Sequence, residues 1–380
     1  MVTERLKRSI ALRKSAGLHR SPVTIEKHVG SSAVVNGKSL INFASNDYLG
    51  LAQDTDWKNT IAKCFQAYPP SGTSSRLVTG HSQFTEDIEQ EFAAYFGYDE
   101  AIFFPSGYQA NLAVLWGLCS PAETLFYDKR IHASMVQGLA QTGGTLKGFA
   151  HSNLEQLDRK LTAAQAENPV VLTESLFSMD GDLLDTATFG ALRSKHTFFS
   201  ILDEAHAVGV LGTNGTGVGG DCADIAVGTF GKALGMFGAF ALLPKGFKEF
   251  FNNFSSPAIY STAMPEAHAA AASSLLQKLP QLEDKREHIA QLSAYMRSEL
   301  QDAGFTIFGD AHIISILVGD EVKATNIVQK MQEDGVLAFA SRYPTVPMNK
   351  AVIRISMTAL HSTEDVHTFV NSIRGWYDRT

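Results

Sequence analysis

Apolar positions in this chain fall first into short unbroken runs and later into helical and alternating patterns. The runs Ala101 to Ser106 (AIFFPS), Thr124 to Asp128 (TLFYD), Val170 to Ser175 (VVLTES), Phe198 to Ala205 (FFSILDEA), Ile225 to Phe230 (IAVGTF) and Gly238 to Leu243 (GAFALL) lack strict polar alternation. Such runs predict strands buried on both faces, the habit of parallel sheets. Between several of them, FTEDIEQEFAAYFG and NLEQLDRKLTAAQA repeat their apolar residues at helical spacing. The alternation predicts an α/β sandwich around a mostly parallel sheet covered by helices. After about Ser261 the pattern changes to a long alanine-rich and charged helix, then HIISILVG, the helix-like KATNIVQKMQEDG, VIRISM and a final helix opened by Ser362. These predict a smaller α+β domain at the C-terminus. The expected division is a helical and extended segment at 1–45, a large α/β domain at 46–265 and a small α+β domain at 266–380.

Open parallel sheets bind ligands beyond the carboxyl ends of their strands. The residues that follow the runs here are Ser106-Gly107-Tyr108, His132, Glu174 with Ser178, Asp203 with His206, and Thr229 with Lys232. Lys232 stands out, because it is flanked by Gly231, Ala233 and Gly235 in a run where an ammonium has little structural purpose. Taken singly, the others have plainer explanations. His132 reads as a capping histidine, Asp203 as an N-cap, Ser178 as a turn residue and Glu174 as a buried structural carboxylate.

Composition and charge narrow the function. The 380 residues are 44% hydrophobic and 19% charged, which describes a globular chain long enough for a large core. A net charge of -7 argues against nucleic acid as a partner. No uninterrupted apolar run reaches the roughly 18 residues of a membrane helix, so no membrane is expected either. The leading segment MVTERLKRSIALRKSAGLHR is basic without an apolar stretch behind it, and predicts an amphipathic helix. Cys64, Cys119 and Cys222 are too far apart for a CxxC pair and too few for a disulfide framework, so a reducing, cytoplasmic setting is expected.

Three familiar motifs fail on inspection. DEAH occurs at Asp203 to His206, but GxxxxGK[ST] is absent; its nearest match, ending at Gly37-Lys38-Ser39, has Ser32 in place of the first glycine. The GTGVGG stretch from Gly215 to Gly220 satisfies GxGxxG, yet the preceding strand has already ended at Asp203. The histidines are scattered without zinc-ligand spacing, and no metal is expected. What remains is a strand-end aspartate, a histidine three residues on, and a lysine 29 positions after the aspartate with a hydroxyl three residues before it. Pyridoxal phosphate chemistry uses these types: a lysine for the aldehyde, a carboxylate for the pyridine nitrogen, and hydroxyls and helix-terminal amides for the phosphate.

In order along the chain, NFASNDYLGL, SGYQANLAVL, HAS, TESLFSMDGD, LDEAHAVGVLG, GTFGKALG, IYSTAMP and YPTVP resemble the α-oxoamine synthases, pyridoxal-phosphate enzymes of fold-type I. The resemblance implies a fold-type I transferase with pyridoxal 5'-phosphate as cofactor. It implies that Lys232 is the Schiff-base lysine, Asp203 the pyridinium partner and His132 the imidazole on the ring face. Ser178 and His206 correspond to contacts on the O3′ side, and Gly107, Tyr108 and Thr229 to the phosphate site. Arg20, His132, Thr345 and Arg354 correspond to substrate contacts. The activity it implies is decarboxylative condensation of an amino acid with an acyl thioester. The branch most resembled joins L-alanine to a pimeloyl group carried by coenzyme A or an acyl-carrier protein; branches using glycine or serine share most of the motifs. IYSTAMP implies a homodimer with shared active sites, in which Thr262 reaches the phosphate of the neighbouring subunit. The chain departs from the family pattern at Thr85, where histidine is usual, at Glu266, where a second proline is usual, and before Ile259, where an arginine is common.

Overall fold

The computed structural model describes residues 1–118, 120 and 122–377, so Cys119 lies outside the described residues. The chain groups into two compact units. One comprises Met1–Tyr48, Met179–Asp182 and the chain from Glu287 on; the other comprises Leu49–Ser178 and Leu183–Arg286.

In the first unit, the predicted leading helix forms over Val2–Ser15, and none of its residues is buried. It is followed by β1 (Lys27–Val29), β2 (Ser32–Val35) and β3 (Lys38–Asn42), an antiparallel meander. The β2–β3 turn is Asn36-Gly37, with φ of 50° and 73°, the two positive values that a two-residue hairpin turn needs. A second sheet has the order β11 (Ile307–Phe308), β12 (Ile313–Gly319), β15 (Ala351–Ser356) and β14 (Phe339–Ser341), antiparallel throughout. The remaining strand, β13 (Val336–Leu337), runs parallel to β3 and extends the meander. Helices form over Glu321–Met331 and Thr363–Tyr377.

The second unit is built on seven strands: β4 (Glu100–Phe104), β5 (Thr124–Asp128), β6 (Thr145–Phe149), β7 (Pro169–Glu174), β8 (Phe199–Asp203), β9 (Ile225–Thr229) and β10 (Ala239–Leu243). Their order is β4-β10-β9-β8-β7-β5-β6. Successive side chains on a strand point to opposite faces, and here both faces are covered. Val170 and Leu172 of β7, Ile201 of β8 and Val227 of β9 join Ala110, Val114 and Met135 in one core. Val171 and Leu202 join Phe126, Leu157 and Phe189 in another. The sheet is mostly parallel, as the unalternating runs predict.

Three details differ from the expectation. β10 runs antiparallel to both neighbours, since an apolar run reports burial on two faces but carries no direction. β6 was not among the predicted strands; it lies at the sheet edge, and Thr145 and Leu146 face solvent. The single long helix after Ser261 is two helices, Glu266–Lys278 and Glu283–Asp302, separated by a tight turn over Leu279–Leu282. Pro280 sits in that turn and has no N–H to continue a helical ladder.

Candidate active site

Strand period places the first part of the site. Glu174, Asp203 and Thr229 end β7, β8 and β9, each two residues beyond a member of the first core, so all three continue that face. Glu174 is the register partner of Asp203. Both carboxylates are buried. Asp203 Oδ1 accepts from the Ala205 N–H at 2.9 Å, and Oδ2 accepts from Asn111 Nδ2 at 2.7 Å. Asp203 has no ion-pair partner among the described residues. Glu174 accepts from the Ser178 N–H at 3.3 Å, while its Oε1 is buried without a hydrogen-bond partner. Burial and the adjacent Asp203 push the Glu174 carboxyl well above its ordinary range, against the opposing pull of Lys232.

The loop after β9 presents Lys232. Phe230, fully buried, anchors it among Phe92, Phe103 and Phe240. Thr229 Oγ1 accepts from the Gly231 N–H at 3.1 Å and donates to the Gly238 carbonyl at 3.0 Å, closing the base of the loop. Gly235 turns it at φ 62°, where a Cβ would lie 2.6 Å from the Ala52 nitrogen, so only glycine fits. Lys232 Nζ, half-buried, lies 2.7 Å from Nε2 of the buried His206.

His132 caps the helix Ala133–Thr142, its Nδ1 accepting from the Ser134 N–H at 3.3 Å. The plain explanation of this histidine is therefore correct locally, and it leaves the ring free for more. Nδ1 is also 2.7 Å from Ser134 Oγ, which in turn accepts from Asn111 Nδ2 at 3.0 Å. Partial burial of the ring lowers the His132 pKa below its ordinary value; Asp203 opposes this and Lys232 adds to it. The Tyr108 ring meets His132 edge-on, 6.4 Å between centroids.

The helix Gly107–Leu118 begins beside this cluster. Ser106 Oγ accepts from the Gln109 N–H at 3.2 Å, and a Cβ on Gly107 would lie 3.9 Å from Thr229 Cβ, so the helix start and the end of β9 adjoin. A helix N-terminus favours an anion through its unpaired amides.

These groups fit pyridoxal phosphate. Asp203 is a buried carboxylate without a cation, an arrangement that is costly until a positive group such as a protonated pyridine nitrogen lies against it. Lys232 offers an amine on the same side, and the helix start at Gly107 next to Thr229 offers amides for a phosphate. Asn111 and Ser134 were not singled out from the sequence. Their signal was there: each is a polar residue at a buried helical position, Asn111 within an otherwise apolar stretch.

Other predicted site residues lie elsewhere. Thr262 is exposed and forms an isolated bridge with Ser75; its side chain makes no hydrogen bond to Lys232, Asp203 or His132. In the first unit, Arg20 Nη2 donates to Thr345 Oγ1 at 3.0 Å, both exposed. Arg354 is buried on β15; it donates to Ser356 Oγ at 2.6 Å and to Asn46 Oδ1 at 3.2 Å, with the Tyr48 hydroxyl at 3.5 Å. Burial pushes the Tyr48 phenol up to about 12, with Arg354 opposing.

The aminotransferase class I and II family matches residues 38–373. The 8-amino-7-oxononanoate synthase of Aliivibrio fischeri (strain MJ11) is 35% identical over 346 residues, covering 90% of this chain and 90% of its own. Among solved structures, serine palmitoyltransferase from S. paucimobilis with bound PLP–myriocin superposes with a TM-score of 0.90 at 25% identity, covering 98% of this chain and 96% of that one. The 8-amino-7-oxononanoate synthase from Francisella tularensis gives a TM-score of 0.76 at 28% identity, covering 88% and 97%.

Proposed function

The chain belongs to the α-oxoamine synthases, pyridoxal-phosphate-dependent acyltransferases within the aminotransferase class I and II family, and from that premise we propose that it condenses L-alanine with a pimeloyl thioester. The products are 8-amino-7-oxononanoate, carbon dioxide and the free thiol of coenzyme A or an acyl-carrier protein. The observation that carries the proposal is the convergence of Lys232, His206, Asp203 and His132 around the ends of β5, β8 and β9.

When bound, the cofactor supplies an electron sink that stabilises negative charge at the amino-acid Cα. The chain's own groups do the rest. Lys232 would hold the cofactor through its amine and would serve as the base that removes the Cα proton. His206, 2.7 Å from Nζ, shares in placing that proton. Asp203 would sit against the pyridine nitrogen and favour its protonated form, and His132 would lie at the ring face. Gly107, Tyr108 and Thr229 would hold the phosphate, while Ser178 and His206 would hold the ring's hydroxyl side. Arg354 binds a carboxylate through its planar fork, and Arg20 and Thr345 contact substrate.

We further propose a homodimer. Thr262 bridges to Ser75, and exposed apolar residues stand close to each in sequence: Tyr260 is 78% exposed, Val78 71% and Leu77 66%. Side chains of this size exposed together mark an interface, and a second copy would cover them while bringing Thr262 to the neighbouring site. Among the described residues no helix is long and apolar enough to cross a membrane, and Cys64 and Cys222 are free thiols, in keeping with a cytoplasmic setting.

The 35% identity to an 8-amino-7-oxononanoate synthase favours the pimeloyl branch, and the TM-score of 0.90 to serine palmitoyltransferase is the observation behind a serine-using alternative. Incubating the holoenzyme with alanine, glycine or serine against acetyl, pimeloyl and palmitoyl thioesters, and identifying products by mass, separates them. Alanine with the pimeloyl thioester should give the dominant product. A dominant product from glycine or serine would move the chain to another branch.

A further inference from the structure

We infer that Asn111 and Ser134 are positioning residues that fix the tautomer of His132 by reading the charge on Asp203; the inference rests on the proposed roles of those two residues. The directions in this network follow from its charged end, Asp203. A carboxylate accepts and cannot donate, so the Asn111 atom 2.7 Å from Asp203 Oδ2 is the amide nitrogen. The same nitrogen has a second proton, and Ser134 Oγ lies 3.0 Å away to receive it. With its oxygen accepting there, the Ser134 hydroxyl has its own proton to place, and His132 Nδ1 lies 2.7 Å away. The Ser134 backbone N–H, at 3.3 Å, points to the same nitrogen. Nδ1 is therefore an acceptor twice over, and the neutral ring has its proton on Nε2, the nitrogen turned away from this network.

Asn111 and Ser134 are both buried, so no water competes for these directions. The consequence for the site is that His132 offers an Nε2–H donor rather than a bare nitrogen. A donor at that position suits a substrate carboxylate or carbonyl oxygen and would be lost in the other tautomer. The network also keeps the ring from protonating at Nδ1, where two donors already converge.

The test reads the ring directly. Holoenzyme labelled with 15N-histidine is observed by two-bond 15N–1H correlation, with His132→Gln identifying the signal. In the unsubstituted protein Nε2 should be protonated and Nδ1 bare. Asn111→Asp replaces a donor by an acceptor and draws the Ser134 hydroxyl proton away from His132, so the ratio of Nε2–H to Nδ1–H should fall by roughly two- to tenfold, the scale of one buried hydrogen bond. Ser134→Ala, which removes the hydroxyl without adding a charge, should shift the ratio in the same direction. Retained cofactor absorbance in each variant establishes that the site has folded. A bare Nε2 in the unsubstituted protein, or an unchanged ratio in both folded variants, would overturn the inference. Absence of the predicted condensation product would instead strike the proposed function and leave the tautomer result as it stands.

Discussion

Lys232 Nζ and His206 Nε2 lie 2.7 Å apart, each held by a different strand end. The histidine follows β8 by three residues and is buried, so it is fixed more firmly than the lysine on its loop. His206→Ala should leave the fold intact but slow exchange of the alanine Cα proton into deuterated solvent by about 10²-fold or more, the scale of a positioned proton-transfer group. His206→Asn, which keeps a polar partner for Nζ, should fall between. Exchange at the unsubstituted rate in His206→Ala would remove this histidine from the proton path.

Arg354 donates from a buried position to Ser356 and Asn46, with the Tyr48 hydroxyl at hand. Lysine there keeps the charge but loses the planar fork. For Arg354→Lys the KM of the substrate carrying the recognised carboxylate should rise roughly tenfold to a hundredfold, as expected for a charged hydrogen bond, with kcat less affected. An unchanged KM for both substrates would make Arg354 structural.

The segment that presents Ser75 to Thr262 is tied down by an ion cluster. Glu89, fully buried, takes Arg76 Nη1 and Nη2 at 2.8 Å each, the Phe103 N–H at 2.7 Å and Lys248 Nζ at 2.7 Å. Burial alone would raise the Glu89 pKa, but Arg76 and Lys248 outweigh it and hold the carboxyl at about 2, below its ordinary 4.5. A carboxylate with a depressed folded pKa stabilises the fold above the unfolded value and loses that contribution as pH falls toward the folded one. Urea denaturation should therefore show stability declining from about pH 4.5 to pH 2. Glu89→Gln should flatten that decline and cost about 3–5 kcal/mol at neutral pH. An unaltered acid limb in the variant would show that other groups govern it.

If the active site is shared, mixing two inactive variants should restore part of the activity. Lys232→Ala removes the amine from one copy, and a Thr262 variant removes the hydroxyl proposed to cross to the other. Some hybrid dimers would then contain one complete site. Absence of rescue in hybrids shown to have formed, with the Thr262 variant itself inactive, would contradict the shared site, as would a fully active monomer by sedimentation.

The strands of the large sheet were legible because both their faces are buried, and Val170, Val171 and Leu172 packing alternately into two cores shows why the runs carry no polar period. The same property hid the reversed direction of β10. Glycines around Lys232 marked the loop, since Gly235 must adopt positive φ against Ala52. The role of Asn111 is not legible in the sequence for a different reason: its partner Asp203 is 92 positions away, and only the folded sheet brings the two together. The pairing of β13 with β3 is equally non-local, linking Val336 to Ile41 with nothing in either short segment to announce it.

The most direct measurement is reductive trapping of the cofactor. Borohydride treatment of the holoenzyme followed by peptide mapping should place the pyridoxyl group on Lys232 alone, in the peptide that contains Phe230 and Gly235, and Lys232→Ala should yield no covalent adduct. A pyridoxyl group on another lysine, or one retained in Lys232→Ala, would contradict the assignment of this strand-end cluster as the cofactor site.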